Sequence, residues 1–475
     1  MSFKKSLLKN IITLGGYNYV SQIAGFLSSI VLSRLLLPEE YGFVALITVF
    51  TGFVSVFSDV GLSYAIIRSD YGLTYHKALS NLAFYIGFIL FLITMSLAFL
   101  IGWFYDDRAL ILPTMVMSSI FIFGAFAIVP NAILMKRLDF NYIGKIRLVS
   151  NVISILLMIV FAAFGFSYWS LIIPVILMHI SQYAFFEYKV RLGFKFYKFS
   201  YPRVAYRKTK SLIKNLSSFN IINYWSRNSD NLIIGKYYSS YDLGIYNRAY
   251  KMLDLANNLI GGIFGTVLYP SLKKLKSEGG NVNDEYRSIL GIISIISYPI
   301  GAVLILIPDL FVRVLWGKDW IMVADLLPYF GILIIFKTLV TTTGHMFILL
   351  EKEKVFMQIG VISAIIMTAS IIIGAFFSVR IIAISYTAGF LFINVPLYLY
   401  FGFYKTFGQT VPHILKFWVP KIVFGACILI AELMGWRPVL YGMMILYGIH
   451  LVHVQRHDLK KLREMLTARI GKNVR

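Results

Sequence analysis

The 475-residue chain has one cysteine, Cys427, set in an apolar run. A single thiol allows no internal disulfide, so the fold owes nothing to oxidation. Charge is scarce as well: 14% of residues are Asp, Glu, Lys or Arg, where a soluble domain carries about 25%. So few charges cannot cover a water-soluble particle of this size. With 58% hydrophobic residues and a mean hydropathy of +0.75, lipid must be part of the solvent. Acidic residues number 22 against 45 Lys and Arg, which gives a formal net charge of +23 and a pI of about 9.8. A nucleic-acid site would need those cations on one continuous basic face. They fall instead in short clusters between long apolar runs, as they do when they encode membrane topology, so nucleic acid is not an expected partner.

A helix needs about 20 residues to cross the hydrocarbon core. The apolar runs predict an all-α integral membrane protein of about fourteen spans, at 11–33, 42–66, 79–103, 110–134, 147–165, 168–188, 212–235, 243–269, 288–307, 322–349, 355–378, 381–403, 412–434 and 437–453. Lys4, Lys5 and Lys9 precede the first run in the manner of a signal peptide, but the run is too long and lacks a small-residue cleavage site. An uncleaved first span is expected. With the N-terminus inside, and cations in the first five positions of a span counted with the loop before it, cytoplasmic segments hold 33 of the 45 Lys and Arg, external segments seven, and spans five. That asymmetry predicts an even number of spans and both termini in the cytoplasm.

The basic stretch from Lys189 to Lys214 divides six spans from the next six, which invites a search for duplication. One repeat emerges at an offset of 202. IVLSRLLLPEEYG, from Ile30 to Gly42, aligns with LIIGKYYSSYDLG, from Leu232 to Gly244, matching Arg34 with Lys236, Glu40 with Asp242 and Gly42 with Gly244. The predicted organisation is an N-terminal lobe over 1–200, a second lobe over 201–405, and an added pair of spans with a basic tail over 406–475.

Polar residues inside spans are the functional pointers, because an ionisable group there costs about 2.5–3.5 kcal/mol and ordinarily faces a cavity or a partner. Asn18, Ser21, Gln22, Gly25 and Ser29 recur at helical spacing in the first span. Thr48, Thr51, Ser55, Ser58 and Asp59 do so in the second, Asn220, Asn223, Arg227, Asp230 and Asn231 in the seventh, and Asn247, Arg248, Lys251, Asp254 and Asn258 in the eighth. The simplest arrangement sets these four helices around a hydrated cavity lined by Asn18, Gln22, Ser55, Asn223 and Asn258. Spans 3, 9 and 11 carry little of the kind and read as lipid-facing or packed walls.

Arg227 with Asp230, and Lys251 with Asp254, stand at i, i+3 and could form internal ion pairs. Arg248 has no partner at helical spacing on its own helix, though it could snorkel to the outer interface. Lys337 in the tenth span shares a face with Thr341 and His345. This surplus of cations, Arg227, Arg248, Lys251 and Lys337, points to an anionic ligand. Asp59 is either the carrier of a coupling proton or sodium ion or a hydrogen-bond acceptor, and Asp230 and Asp254 are the other coupling candidates. Gly261 and Gly265 suit close helix packing.

No Walker A, HExxH, GxSxG or Cys-rich metal pattern occurs, and His345 has no histidine at metal-ligand spacing. No metal, cofactor or catalytic residue is expected. External connections are short, the longest running from about Pro308 to Ile321, which leaves little room for the donor and acceptor of a glycan polymerase or ligase.

Four segments then carry a resemblance: SRLLLPEEYGFVAL (Ser33 to Leu46), FSDVGLSYAIIR (Phe57 to Arg68), DNLIIGKYYSSYDLGIYNRAYKM (Asp230 to Met252) and VLYPSL (Val267 to Leu272). Through them the chain resembles the polysaccharide-transporter (Wzx-type flippase) family of the multidrug/oligosaccharidyl-lipid/polysaccharide exporter superfamily. Within it the resemblance is to the branch for colanic-acid, teichuronic-acid and lipopolysaccharide export. It covers nearly the whole chain, and its motifs are diffuse, identifying a family better than a substrate.

The resemblance implies a MATE-like fold, two six-helix lobes around a central cavity lined by helices 1, 2, 7 and 8. It also implies a multi-pass protein of the bacterial plasma membrane that moves undecaprenyl-diphosphate-linked oligosaccharide to the outer leaflet by alternating access. The diphosphate would be the anion. Membrane lipids, a proton or sodium gradient and polysaccharide polymerase machinery are the implied partners. The arginine cluster that related peptidoglycan lipid-precursor flippases carry in their first two spans is absent here, which puts that substrate in doubt. A drug or cation antiporter of the same fold, a membrane-embedded polymerase or ligase, and a non-transporting scaffold remain as alternatives.

Overall fold

In hydrocarbon a backbone finds no hydrogen-bond partner but itself, so long apolar runs take helical form. The computed structural model describes residues 3–59, 62–68, 72–193, 224–225 and 228–456, and among these the secondary structure is helical, without a strand. Nine helices among the described residues are long and apolar enough to cross a membrane. Phe3–Leu32, Pro38–Ser55, Ser240–Ser277 and Arg437–Val454 are further long helices, and the first three are those that bear polar stripes.

Two compact units divide the chain, Met1–Asn247 and Arg248–Arg475. In the first, Phe3–Leu32 packs on Phe140–Ala163, which packs on Trp169–Val190, while Leu73–Phe104 packs on Ile120–Lys136. Leu79, Ala83, Val129 and Ala132 are fully buried between the last two. Their backbones approach closely at Gly87, where a methyl would fall 2.5 Å from the Ala125 Cβ, as small residues allow in membranes. Leu73–Phe104, at 32 residues, spans about 48 Å, and turns Phe88, Leu92, Phe99 and Trp103 outward. Side chains this apolar and this exposed have lipid as their solvent.

The first unit also bears on the repeat. A methyl built on Gly42 would collide with the Ser240 carbonyl, and one built on Gly244 with the Pro38 carbonyl. The same methyls would lie 2.9 Å from the Gly244 nitrogen and 3.2 Å from the Gly42 nitrogen. Pro38 and Ser240, like Gly42 and Gly244, are 202 positions apart. The segments aligned by sequence therefore meet each other reciprocally, and glycine at both places is what permits the crossing.

In the second unit Val282–Leu306 crosses Leu327–Thr341 at another glycine pair, where a methyl on Gly301 would fall 2.6 Å from the Gly331 carbonyl. The span Leu327–Leu349 is the most enclosed of the nine, with Val282–Leu306, Val379–Gly389 and Val411–Leu433 packed on it. Glu353–Ala375 is among the least enclosed and exposes Val361, Ile365, Ile372 and Ile373. Of the stripe-free spans, the third and eleventh thus face lipid and the ninth is a packed wall.

Several boundaries differ from the apolar runs. The expected span 42–66 is two helices: Pro38–Ser55 ends, and Leu62–Arg68 begins after Asp59, whose carboxylate accepts hydrogen bonds from the Ser63 nitrogen and hydroxyl. The expected span 243–269 lies inside the 38-residue helix Ser240–Ser277, which continues through Pro270 to Lys273, Lys274 and Lys276. The run 381–403 lies in Val379–Thr406, where π-helical turns over Phe390–Asn394 and Tyr398–Thr406 flank Pro396. Of the expected span 212–235, residues 212–223 and 226–227 lie outside the described residues, as do the predicted lobe boundary near 200 and the tail from 457.

Candidate functional site

The first-span stripe separates into packing and open positions. Tyr17 donates to Asn141 Oδ1 at 2.9 Å and Asn151 donates to Ser21 Oγ at 2.6 Å, so these groups bind helix to helix. Asn18 is exposed beside them, and Gln22, half-buried, has its side-chain oxygen without a hydrogen-bond partner. Ser55 is exposed and returns its hydroxyl to the Gly52 carbonyl at 2.6 Å.

The acidic candidates fall into different settings. Asp59 lies four residues beyond the helix Pro38–Ser55 and caps the next one, taking the Ser63 hydroxyl at 2.6 Å. Asp230 is buried, and accepts from the Tyr246 hydroxyl at 3.0 Å and the Asn231 nitrogen at 2.8 Å. Asp254 is exposed on the Ser240–Ser277 helix. Arg227 and Asn223 lie outside the described residues, and with them the expected Arg227–Asp230 pair.

The cations of the second unit separate just as clearly. Arg248 is 2% exposed. Its guanidinium sits 4.3 Å from the Trp320 ring centre and 5.4 Å from that of Trp316. Both indoles are fully buried and belong to the connection after Pro308–Leu315. Stacking of this kind uses the flat, weakly hydrated face of arginine and needs no anion. Lys251, Asp254 and Asn258 are all exposed at i, i+3 and i+7 of one helix face. Asp254 acts on the Lys251 charge with opposite sign and Arg248 with like sign.

Lys337 occupies the open side of the most enclosed span. Its neighbours from Leu327 to Val340 are buried, and the half-open or exposed positions are Lys337, Thr341, Gly344, His345 and Ile348, a single stripe. The ammonium donates to the Tyr386 hydroxyl at 3.1 Å and lies 5.7 Å and 5.4 Å from the ring centres of Tyr250 and Tyr386. Among the described residues it has no carboxylate partner. Lys337 is ten residues from Leu327 and twelve from Leu349, about 15 and 18 Å from the two ends. That depth is beyond what a lysine stem can span to reach an interface. Gly261 continues the Lys251–Asp254–Asn258 face, and a methyl there would lie 3.7 Å from Thr341 Cγ2. The two polar stripes of this unit therefore converge.

Lys421, a further cation within a span, is 1% exposed and donates to the Phe417 carbonyl at 3.0 Å. Glu432 pairs with Arg437 at 3.6 Å and Glu187 accepts from the Gly193 nitrogen at 2.6 Å, both at span ends. Sequence reasoning missed Trp316, Trp320, Tyr250 and Tyr386. Aromatics in apolar stretches carry no signal of their own, and only their placement around a cation distinguishes them.

This architecture is shared with solved multi-pass helical membrane proteins. The lipid II flippase MurJ in its inward closed conformation matches with a TM-score of 0.69 and 16% identity over 94% of this chain and 99% of that one. An inward-facing multidrug resistance MATE family transporter of the MOP superfamily matches with a TM-score of 0.60 and 15% identity over 82% of this chain and 95% of that one. At such identities the likeness shows the fold.

The polysaccharide biosynthesis protein family model matches residues 31–325, more than half of the chain, and the chain belongs to that family. Relatives include an uncharacterized membrane protein in the cps region of Klebsiella pneumoniae, 26% identical over 64% of this chain and 63% of its own length. The teichuronic acid biosynthesis protein TuaB of Bacillus subtilis is 23% identical over 64% and 62%. The lipopolysaccharide biosynthesis protein WzxC of Escherichia coli is 23% identical over 83% and 81%. The matches to the Klebsiella and Bacillus proteins thus span less than two thirds of those chains. The polysaccharide-transporter resemblance carried by residues 33–46 and 230–252 is borne out, and the chain is a multi-pass helical membrane protein of that family.

Proposed function

We propose that the chain is a flippase that moves undecaprenyl-diphosphate-linked oligosaccharide from the cytoplasmic to the outer leaflet of a bacterial plasma membrane, by alternating access, for surface polysaccharide synthesis. The observation that carries this reading is Lys337, a mid-membrane cation held by tyrosines on the open stripe of an otherwise enclosed helix. A charge at that depth is costly unless something of opposite sign visits it. A diphosphate in transit is such a visitor. Lys251 adds a second accessible cation and Asp254 a single exposed carboxylate, so the described open faces of this unit favour an anion over a cationic drug.

The 33-to-7 distribution of Lys and Arg supports cytoplasmic termini. Arg248 has a structural role in this account, and a proton or sodium gradient drives the cycle. The test is Lys337→Gln in cells whose polysaccharide export depends on this chain. Export should fall at least tenfold with normal protein in the membrane, and lipid-linked oligosaccharide should accumulate. Normal export, or resistance to cationic drugs as the phenotype the chain confers, would contradict the reading.

A further inference from the structure

Tyr386 is the hydrogen-bond partner of Lys337. It stands on Val379–Gly389, 7% exposed, with its hydroxyl 3.1 Å from the Lys337 ammonium. The nitrogen is the donor there, so the hydroxyl accepts and keeps its own hydrogen. Among the described residues nothing accepts that hydrogen. A phenol with a free donor beside an ammonium with two further donors presents converging N–H and O–H groups at mid-membrane. Hydrogen bonds to an ionised acceptor are short and about twice as strong as neutral ones, and more so away from water.

The ring is held in place for this task. Tyr250 packs edge-on at 6.4 Å and is itself edge-on to Phe330 at 5.7 Å. The adjacent Thr387 donates to the Ala383 carbonyl at 2.8 Å. Lys337 is thereby bracketed by two rings, and little rotamer freedom remains to be lost when an anion arrives.

We infer that Tyr386 is a substrate-binding residue whose hydroxyl donates to the same phosphate oxygen that Lys337 neutralises. This rests on the flippase reading and deepens it by naming the group recognised, the diphosphate rather than the sugar. Phosphate could also come from bulk phospholipid, but those headgroups lie at the interface, about 15 Å from this depth.

The test is ligand binding by the purified full-length chain, with undecaprenyl diphosphate and phosphatidylglycerol as separate probes. Tyr386→Phe keeps the ring over Lys337 and removes only the hydroxyl. It should weaken undecaprenyl diphosphate about tenfold, leave phosphatidylglycerol and the melting temperature unchanged, and lose most of its effect in a Lys337→Gln background. Unchanged undecaprenyl diphosphate binding by Tyr386→Phe, with binding lost in Lys337→Gln, would overturn the role of Tyr386 alone. An equal loss of phosphatidylglycerol, or a matching fall in melting temperature, would also overturn it, since it would mean a bulk-lipid site or a structural hydroxyl. No undecaprenyl diphosphate binding by the unaltered chain would overturn the flippase reading and this inference together.

Discussion

Arg248 and Lys337 are both cations within spans, yet one is enclosed by indoles and the other lies on an open stripe, and substitution should separate them. Arg248 lies 4.3 Å from one indole and 5.4 Å from another, 2% exposed. A desolvated cation–π contact is worth about 2 kcal/mol at good geometry, and the longer contact, near the outer limit, about half that. The two together hold the connection carrying Trp316 and Trp320 against Arg248 with about 3 kcal/mol. Arg248→Lys keeps the charge and loses the flat face that stacks on both rings, so it should cost about 1–2 kcal/mol. Trp320→Leu removes the nearer contact and leaves a cavity, for a loss of about 3–4 kcal/mol. The pair should be less than additive because both changes break one contact. Thermal unfolding of the purified protein, followed by tryptophan fluorescence, reads these differences, with transport per folded molecule measured alongside. If Arg248→Lys melts like the parent but transports tenfold less, Arg248 belongs to the substrate path and the clamp is refuted.

Gly42→Ala and Gly244→Ala should each destabilise by about 1–3 kcal/mol, since either methyl meets the opposite backbone; the double variant should cost less than their sum in the same unfolding assay. Asp59→Ala should lose the cap on Leu62–Arg68, about 1 kcal/mol, whereas Asp59→Asn, which also caps, should keep stability and gradient-driven transport. Uncoupled transport in Asp59→Asn would make the carboxylate an ion carrier instead. Asp230→Ala should cost about 1–3 kcal/mol by removing the carboxylate that accepts from the buried Tyr246 hydroxyl, measured as lowered melting temperature.

The nine apolar spans among the described residues were legible because apolar runs of the right length admit one solution in lipid. Their ends and interruptions were not. The turn at 56–59 is hidden in the sequence by the apolar Val56 and Phe57, and only the Asp59–Ser63 hydrogen bonds reveal a cap. Pro270 and the lysines after it suggest an end where the helix in fact continues to Ser277. The offset of 202 was read from a few aligned residues, and the reciprocal approach of Gly42 and Gly244 gives the two glycines of that alignment a physical reason. Within the candidate site, helical spacing found the open stripes of Lys251, Asp254, Asn258 and Lys337. It could not tell these from the enclosed Asp230 and Arg248, whose partners Tyr246 and Trp320 lie 16 and 72 positions away.

The central claim is movement of a lipid-linked oligosaccharide between leaflets. Purified protein in liposomes containing undecaprenyl-diphosphate-linked oligosaccharide, scored by an enzyme that modifies the glycan only on the outer face, measures it directly. The account predicts transfer that is faster with an imposed proton or sodium gradient and at least tenfold slower with Lys337→Gln. Transfer at the rate of protein-free liposomes, from protein shown to be folded by its melting transition, would contradict it.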